Sequence, residues 1–307
     1  MNSVTGTVDF KGHQTWYRIV EPDEPDPRKL PLVTLHGGPG ASHQYLLSMI
    51  DFANFGRRVI FYDQLGCGNS THLPDADPSL WTPELFADEL DNLVEALDLT
   101  SGYHILGQSW GGMLAQEHAV RHPRGLRSVV LSNTAAAFSH FIEVANELRN
   151  ALPDDVRAAL DRYEATGDYS NPEYLAACDV FYRRHVCRLE EWPDDIINAF
   201  AQIDEDPTVY HTMNGPSEFH VIGTAKDWSA VDRLHLINVP TLVVCGRFDE
   251  AAPSIQGHLT DGITDARLVI FEQSSHMPFW EERELYMHEI EGFLNEVEDI
   301  TVPGDAQ

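Results

Sequence analysis

The pentapeptide Gly107-Gln108-Ser109-Trp110-Gly111 constrains this chain more than any other stretch. It follows the apolar run Tyr-His-Ile-Leu at 103–106 and precedes a helix-prone stretch, Gly112 to Val120. G-x-S-x-G in that context is a nucleophile elbow: its glycines permit a sharp strand-to-helix turn that lifts the serine above the sheet edge. The expected setting is therefore an α/β architecture. Six short β-rich runs agree with it: Leu32 to Leu35, Arg58 to Tyr62, Tyr103 to Leu106, Arg127 to Leu131, Thr241 to Cys245 and Arg267 to Phe271. Most are near-continuously apolar, as parallel strands buried on both faces must be. Helical patterns separate several of them. Between Pro83 and Leu97, the residues Leu85, Phe86, Leu90, Leu93, Val94 and Leu97 share one helix face. Ahead of the parallel strands, Gly6 to Phe10 and Thr15 to Val20 flank Lys11-Gly12-His13-Gln14 and read as an antiparallel hairpin.

The rhythm breaks between Ala135 and Asp232. That segment has no buried-strand run, and Pro153, Pro172, Pro193 and Pro207 stand at expected helix starts. The predicted organisation is an α/β-hydrolase core at 1–134 and 233–307, with a mostly parallel sheet. A helical cap is expected at 135–232.

A serine hydroxyl is a weak nucleophile and needs a base. In the α/β-hydrolase fold the partners follow in the order Ser, Asp or Glu, His. Asp249 stands just past the strand-like Thr-Leu-Val-Val-Cys, and His276 just past Arg-Leu-Val-Ile-Phe. Both fall at the sheet edge where α/β proteins place ligands. Ser109, Asp249 and His276 are therefore the expected triad. His36-Gly37-Gly38-Pro39-Gly40 follows Leu-Val-Thr-Leu and reads as an oxyanion loop. Its expected donors are the backbone N–H groups of Gly38 and Trp110, with His36 fixing the loop. The chemistry calls for no metal or organic cofactor. His118 and His122 lack an HExxH pattern and are not read as a metal pair. Cys67, Cys178, Cys187 and Cys245 have no metal spacing and read as reduced thiols of a cytoplasmic protein.

Composition narrows the partners. The chain has 307 residues, with 49 acids against 20 bases, for a formal charge of −29. Such a surface repels nucleic acid and anionic membrane, and no apolar run reaches the roughly 18 residues that span a bilayer. The start of the sequence shows no secretory-signal pattern. Lysine is confined to Lys11, Lys29 and Lys226. Self-repulsion at this level is relieved by salt, which points to a halophilic source. The acidic runs Glu21 to Asp26 and Glu281 to Glu284 read as solvated faces.

The motifs together are familiar. HGGPG at 36–40, DQLGCGNS at 63–70, GQSWGG at 107–112, GRFDE at 246–250 and SSHMPFWEE at 274–282 resemble the proline iminopeptidase family of α/β hydrolases. In the cap, Val209-Tyr210, Met213 to Phe219 and Gly223 to Trp228 resemble its archaeal, tricorn-interacting aminopeptidases. The similarity runs from Gly12 to Leu294. It implies an exopeptidase that releases one N-terminal residue, proline or another apolar amino acid, from short peptides with a free N-terminus. It also implies that Glu218 and Glu250 grip the substrate's α-amino group and that Tyr210 contacts the substrate. Adjacency to Asp249 independently places Glu250 near the site. Two rivals remain open at this point: an esterase or amino-acid amidase of the same fold, and a non-catalytic ligand-sensing module. The oligomeric state is not legible in the sequence.

Overall fold

The apolar runs become strands because both of their faces find cover. In the computed structural model, which describes residues 1–299, four strands are buried along their whole length. These are β3 (Leu32–Leu35), β4 (Val59–Tyr62), β5 (Tyr103–Gln108) and β7 (Thr241–Gly246). With β1 (Asn2–Phe10), β2 (His13–Glu21), β6 (Leu126–Ser132) and β8 (Ala266–Phe271), they form one eight-stranded sheet in the order β1-β2-β4-β3-β5-β6-β7-β8. The pairs β1/β2 and β2/β4 are antiparallel, and all others are parallel. The hairpin is longer than its sequence pattern suggests. His13 and Gln14 already pair with Phe10 and Asp9, leaving a two-residue turn at Lys11-Gly12. Both turn residues have positive φ, 48° and 87°, the geometry that matches strand twist.

Strand alternation divides the core in two. Val33, Ile60, Ile105, Val129 and Val243 point to one face, where α1 (Pro83–Ala96) packs through Phe86, Leu90 and Leu93, and α2 (Trp110–Ala119) through Leu114. Leu32, Phe61, Leu106, Val130 and Leu242 point to the other, covered by the 3-10 segment His43–Phe55 and by α10 (Arg283–Val297).

Between β6 and β7 the chain forms α3 (Phe138–Asn150), α4 (Asp154–Glu164), α5 (Pro172–His185), α6 (Asp194–Glu205) and α7 (Thr208–Met213). Pro153, Pro193 and Pro207 immediately precede α4, α6 and α7, and Pro172 opens α5. A residue without a backbone N–H loses nothing where no helical acceptor exists. After β7 come α8 (Pro253–Gly262) and α9 (Pro278–Glu281). Parallel strands bring the C-terminal ends of β3, β5, β6, β7 and β8 to one edge, beneath the helical insertion.

Candidate active site

Ser109 sits between β5 and α2 with φ 56° and ψ −124°, a backbone state that costs a non-glycine residue of order 1–3 kcal/mol. Packing enforces it. A Cβ on Gly107 would lie 2.1 Å from the Gly111 carbonyl oxygen, and one on Gly111 would lie 2.1 Å from that of Leu35. Only glycines let α2 approach the strands this closely, and the turn between them is over-determined. The N–H of Trp110 opens α2 and has no helical acceptor. Gly38, at φ 114°, lies across the same cavity.

The loop carrying Gly38 is held from behind. His36 Nε2 accepts from the Gln64 N–H at 3.0 Å, and Gln64 Nε2 donates to the His36 carbonyl at 2.8 Å. Burial pushes the His36 imidazole down to about 4 against the pull of Asp63, so it stays neutral and structural. Gln64 Oε1 also accepts from Trp110 Nε1 at 2.9 Å, tying the loop to the elbow. Tyr45 continues the bracing. Its hydroxyl accepts from the Gly37 N–H at 2.5 Å and donates to Gln108 Oε1 at 2.6 Å.

Asp249 and His276 meet at the ends of β7 and β8. His276 Nδ1 lies 2.6 Å from Asp249 Oδ1, which also accepts from the Ala251 N–H at 2.9 Å. Asp249 Oδ2 accepts from Asn133 Nδ2 at 2.6 Å. These contacts fix the carboxylate so that it holds the imidazole by Nδ1 and leaves Nε2 on the far side of the ring from Asp249. Among the described residues no hydrogen bond joins Nε2 to Ser109 Oγ. Instead Nε2 lies 3.6 Å from Glu250 Oε1. Ser109 and His276 do line one cavity, with Tyr45, Val186, Phe200, Ile203 and Met277. A second is lined by Trp110, Met113, Asn133, Phe138, Phe141 and Ala251. The two share Gly38, Ser109 and Glu218.

Glu250 is fully buried, and among the described residues neither of its carboxylate oxygens has a hydrogen-bond partner. Burial drives its carboxyl well above the usual range, and the charges of Glu218 and Asp249 add to that against His276. Glu218 comes from the loop after α7. Its carboxyl is raised by burial and opposed by the hydrogen bond from the Tyr210 hydroxyl at 2.7 Å. Tyr210 itself is buried and faces Glu218; it lines neither cavity. For His276, burial disfavours the charge, but Asp249, Glu250 and Glu218 outweigh it and push the imidazole up to about 9.

Sequence reasoning missed several supports. Asn133, which clamps Asp249, follows β6 directly, so the strand-end rule used for Asp249 and His276 also points to it. The backbone carbonyl of His185, at the end of α5, accepts from the N–H groups of His276 at 3.2 Å and Glu250 at 3.3 Å; a carbonyl carries no sequence signal. Glu281 and Glu282 overturn the solvated-face reading. Glu281 accepts from the Ser275 and Arg188 N–H groups, both at 2.7 Å, and Glu282 from the Gln273 N–H at 2.9 Å. They hold the His276 loop because its backbone donors have no strand partner there. Of the two histidines set aside above, His118 lies in α2 and is held by Asp91 and Tyr103, and His122 falls beyond the end of that helix. Among the described residues no three His, Cys, Asp or Glu side chains form a metal-binding group, and no helix is long and apolar enough to cross a membrane.

Residues 31–171 match the α/β hydrolase fold family. The proline iminopeptidase of Saccharolobus solfataricus is 40% identical over 271 residues, 88% of this chain and 86% of its own. The crystal structure of proline iminopeptidase from Mycobacterium smegmatis is 47% identical, with a TM-score of 0.90 over 96% of this chain and 99% of that one. The crystal structure of VinJ is 46% identical, with a TM-score of 0.93 over the same shares. The eight-stranded sheet, the elbow and a similarity that spans the helical insertion lead to one conclusion: the chain belongs to the proline iminopeptidase family of α/β hydrolases.

Proposed function

We propose that this protein is a serine aminopeptidase that releases an N-terminal proline or other apolar residue from short peptides. The observation that carries the reading is Glu250: a fully buried carboxylate without a hydrogen-bond partner among the described residues, beside the general base. An unpaired buried carboxylate is costly, and a substrate ammonium satisfies it. Glu218 supplies the second carboxylate from the insertion. Two anionic contacts at a set distance from Ser109 measure one residue from the amine to the scissile carbonyl.

The cycle is acyl transfer. Neutral His276 takes the Ser109 proton as Oγ attacks the carbonyl, with Asp249 holding the tautomer and stabilising the imidazolium. The N–H groups of Gly38 and Trp110 receive the oxyanion. His276 then protonates the leaving amine, and water cleaves the acyl enzyme. That step puts the leaving chain on the His276 side, against Val186, Phe200 and Ile203. The first side chain then lies against Trp110, Met113, Phe138 and Phe141, an apolar surface suited to proline. The span 135–232 acts as the cap that closes over the amino end, and Tyr210 serves by orienting Glu218.

The test compares a free-amine prolyl or alanyl amide with its N-acetyl counterpart. Acetylation removes the charge and the donors, and the free amine is expected to be cleaved far faster. Equal rates would overturn the aminopeptidase reading in favour of an esterase or amidase.

The charge of −29 fits a cytoplasmic protein of a halophile. Its thermal midpoint is expected to rise from low to molar KCl as self-repulsion is screened; a flat or falling curve removes the halophilic assignment and leaves the chemistry intact.

A further inference from the structure

Two features of the site are mutually awkward. Glu250, the carboxylate assigned to the substrate amine, has 0% exposure. His276 Nε2, the atom that must accept the Ser109 proton, lies 3.6 Å from Glu250 Oε1 and is not hydrogen-bonded to Ser109. Each group faces the other where each should face the substrate.

We propose that the substrate's own ammonium switches on the general base, by displacing His276 Nε2 from Glu250 and releasing it toward Ser109. The inference rests on the aminopeptidase reading. In the resting enzyme, protonated His276 faces Glu250 across 3.6 Å, and the imidazolium stands where the substrate cation will stand. The charges facing it come from every element around it. Asp249 lies on the same edge, Glu218 enters from the insertion, and the hydroxyls of Tyr182 and Tyr210 bond the Glu218 N–H and carboxylate. The carbonyl of His185 fixes the backbone of both partners, and its imidazole Nδ1 lies 2.9 Å from the Phe248 carbonyl oxygen, turned from the pair. Three carboxylates around one imidazole hold it protonated, up to about 9, and a protonated imidazole cannot serve as a base.

An entering ammonium supplies the positive charge that Glu250 and Glu218 lack. The imidazolium is then redundant: its Nε2–H bond breaks, the proton passes to solvent, and the net charge of the cluster is unchanged. Nε2 regains its lone pair and accepts from Ser109. The switch makes the amine a condition for turnover as well as a handle for binding. Ligands without an amine meet an enzyme whose base is occupied.

The readout is the pH profile of kcat/KM for p-nitrophenyl acetate, which has no amine. In the wild type, the rising limb is expected near pH 9. In Glu250→Gln the limb should fall by a pH unit or more, so that ester hydrolysis at pH 7 rises about tenfold, while cleavage of prolyl amides falls. Glu218→Gln should move the limb in the same direction by less. A merely structural role for Glu250 moves neither limb. Should Glu250→Gln fail to fold, a second measurement decides. Ser109→Ala protein is titrated calorimetrically with L-prolinamide in two buffers of different ionisation enthalpy, and release of about one proton per amine bound is expected near pH 7.5. An unmoved ester limb, or binding without proton release, overturns the switch. If these fail while the wild type still prefers free amines over acetylated ones, the switch alone is wrong. Loss of that preference removes the aminopeptidase reading itself.

Discussion

Two clusters of buried charge occupy opposite ends of this molecule, and they are built on opposite principles. Beneath α10, the guanidinium of Arg57 donates to Glu291 at 2.9 and 3.0 Å and to Glu298 at 2.9 and 2.8 Å. Lys29 adds a contact to Glu291 at 2.8 Å, and His104 lies 3.1 Å from Glu298. Every carboxylate there has a cation. At the sheet's C-terminal edge, Asp249, Glu250 and Glu218 surround one imidazole, and Glu250 has no hydrogen bond at all among the described residues. Their pH signatures are opposed. Burial raises the Glu298 carboxyl, but His104 and Arg57 outweigh it and hold it near 2. Because that value is depressed, Glu298 contributes stability above its unfolded range near 4.5, lost as pH falls toward 2. Glu250 is raised, so its contribution is present at low pH and lost as pH rises. The first cluster is complete within the chain; in the proposed function the second is completed by the substrate's amine.

The contrast is broken most sharply by Ser109→Ala. It should lower kcat by about 10⁴- to 10⁶-fold while leaving the thermal midpoint in place. Near-normal turnover of a clean preparation would remove Ser109 from the mechanism.

Arg57→Met does the reverse. Glu298 loses the guanidinium in a dry setting while Glu291 keeps Lys29, and unfolding free energy should drop by about 3–5 kcal/mol, with kcat of the folded fraction unchanged. Denaturant unfolding and active-site titration separate the two quantities. A neutral effect on stability would make the paired cluster dispensable.

Glu218→Gln and Glu250→Gln should each cut kcat/KM for a free-amine amide by about 10- to 1,000-fold, if each lost contact is worth roughly 1.5–4 kcal/mol. At pH 8 the thermal midpoint of Glu250→Gln should be no lower than that of the wild type, since a buried carboxyl without a hydrogen-bond partner has been removed. A marked loss of stability would place Glu250 with the structural carboxylates.

The smallest effect sharpens the comparison with an intermediate case. Glu89 on α1 is buried with neutral donors, the Thr15 hydroxyl and the Leu65 N–H at 3.0 Å. Burial pushes its carboxyl up to about 7, opposed by those hydrogen bonds and reinforced by Asp63. A raised value favours the folded state at low pH, and that contribution is lost as pH rises from about 4.5 through 7. Glu89→Gln should therefore stabilise the protein by about 1–3 kcal/mol at pH 8 relative to its effect at pH 4. Urea unfolding at the two pH values reads this directly; equal effects would mean that Glu89 ionises freely.

Much of the core was legible because burial on both faces writes itself into composition. β3 is found with its sequence bounds intact, and the other parallel strands within a residue or two. The elbow needed only its glycines and flanking pattern, and the placement of Asp249 and His276 just past β7 and β8 needed only strand ends. Prolines marked where the insertion's helices begin. Local chemistry suffices for such features, since each depends on residues close in sequence.

What tertiary structure decided is which acids among 49 are solvated, paired or left alone. Glu281, in an acidic run, turns inward because the His276 loop has free N–H groups to satisfy. Glu291 and Glu298 find Arg57 across more than 230 residues of chain. Glu218 and Glu250 both rested on family resemblance, with adjacency to Asp249 as a second argument for Glu250 alone. The fold brings them toward one imidazole from the insertion and from β7. A carboxylate's protonation and role depend on how much water and which charges surround it, and those neighbours come from segments whose meeting no local pattern encodes.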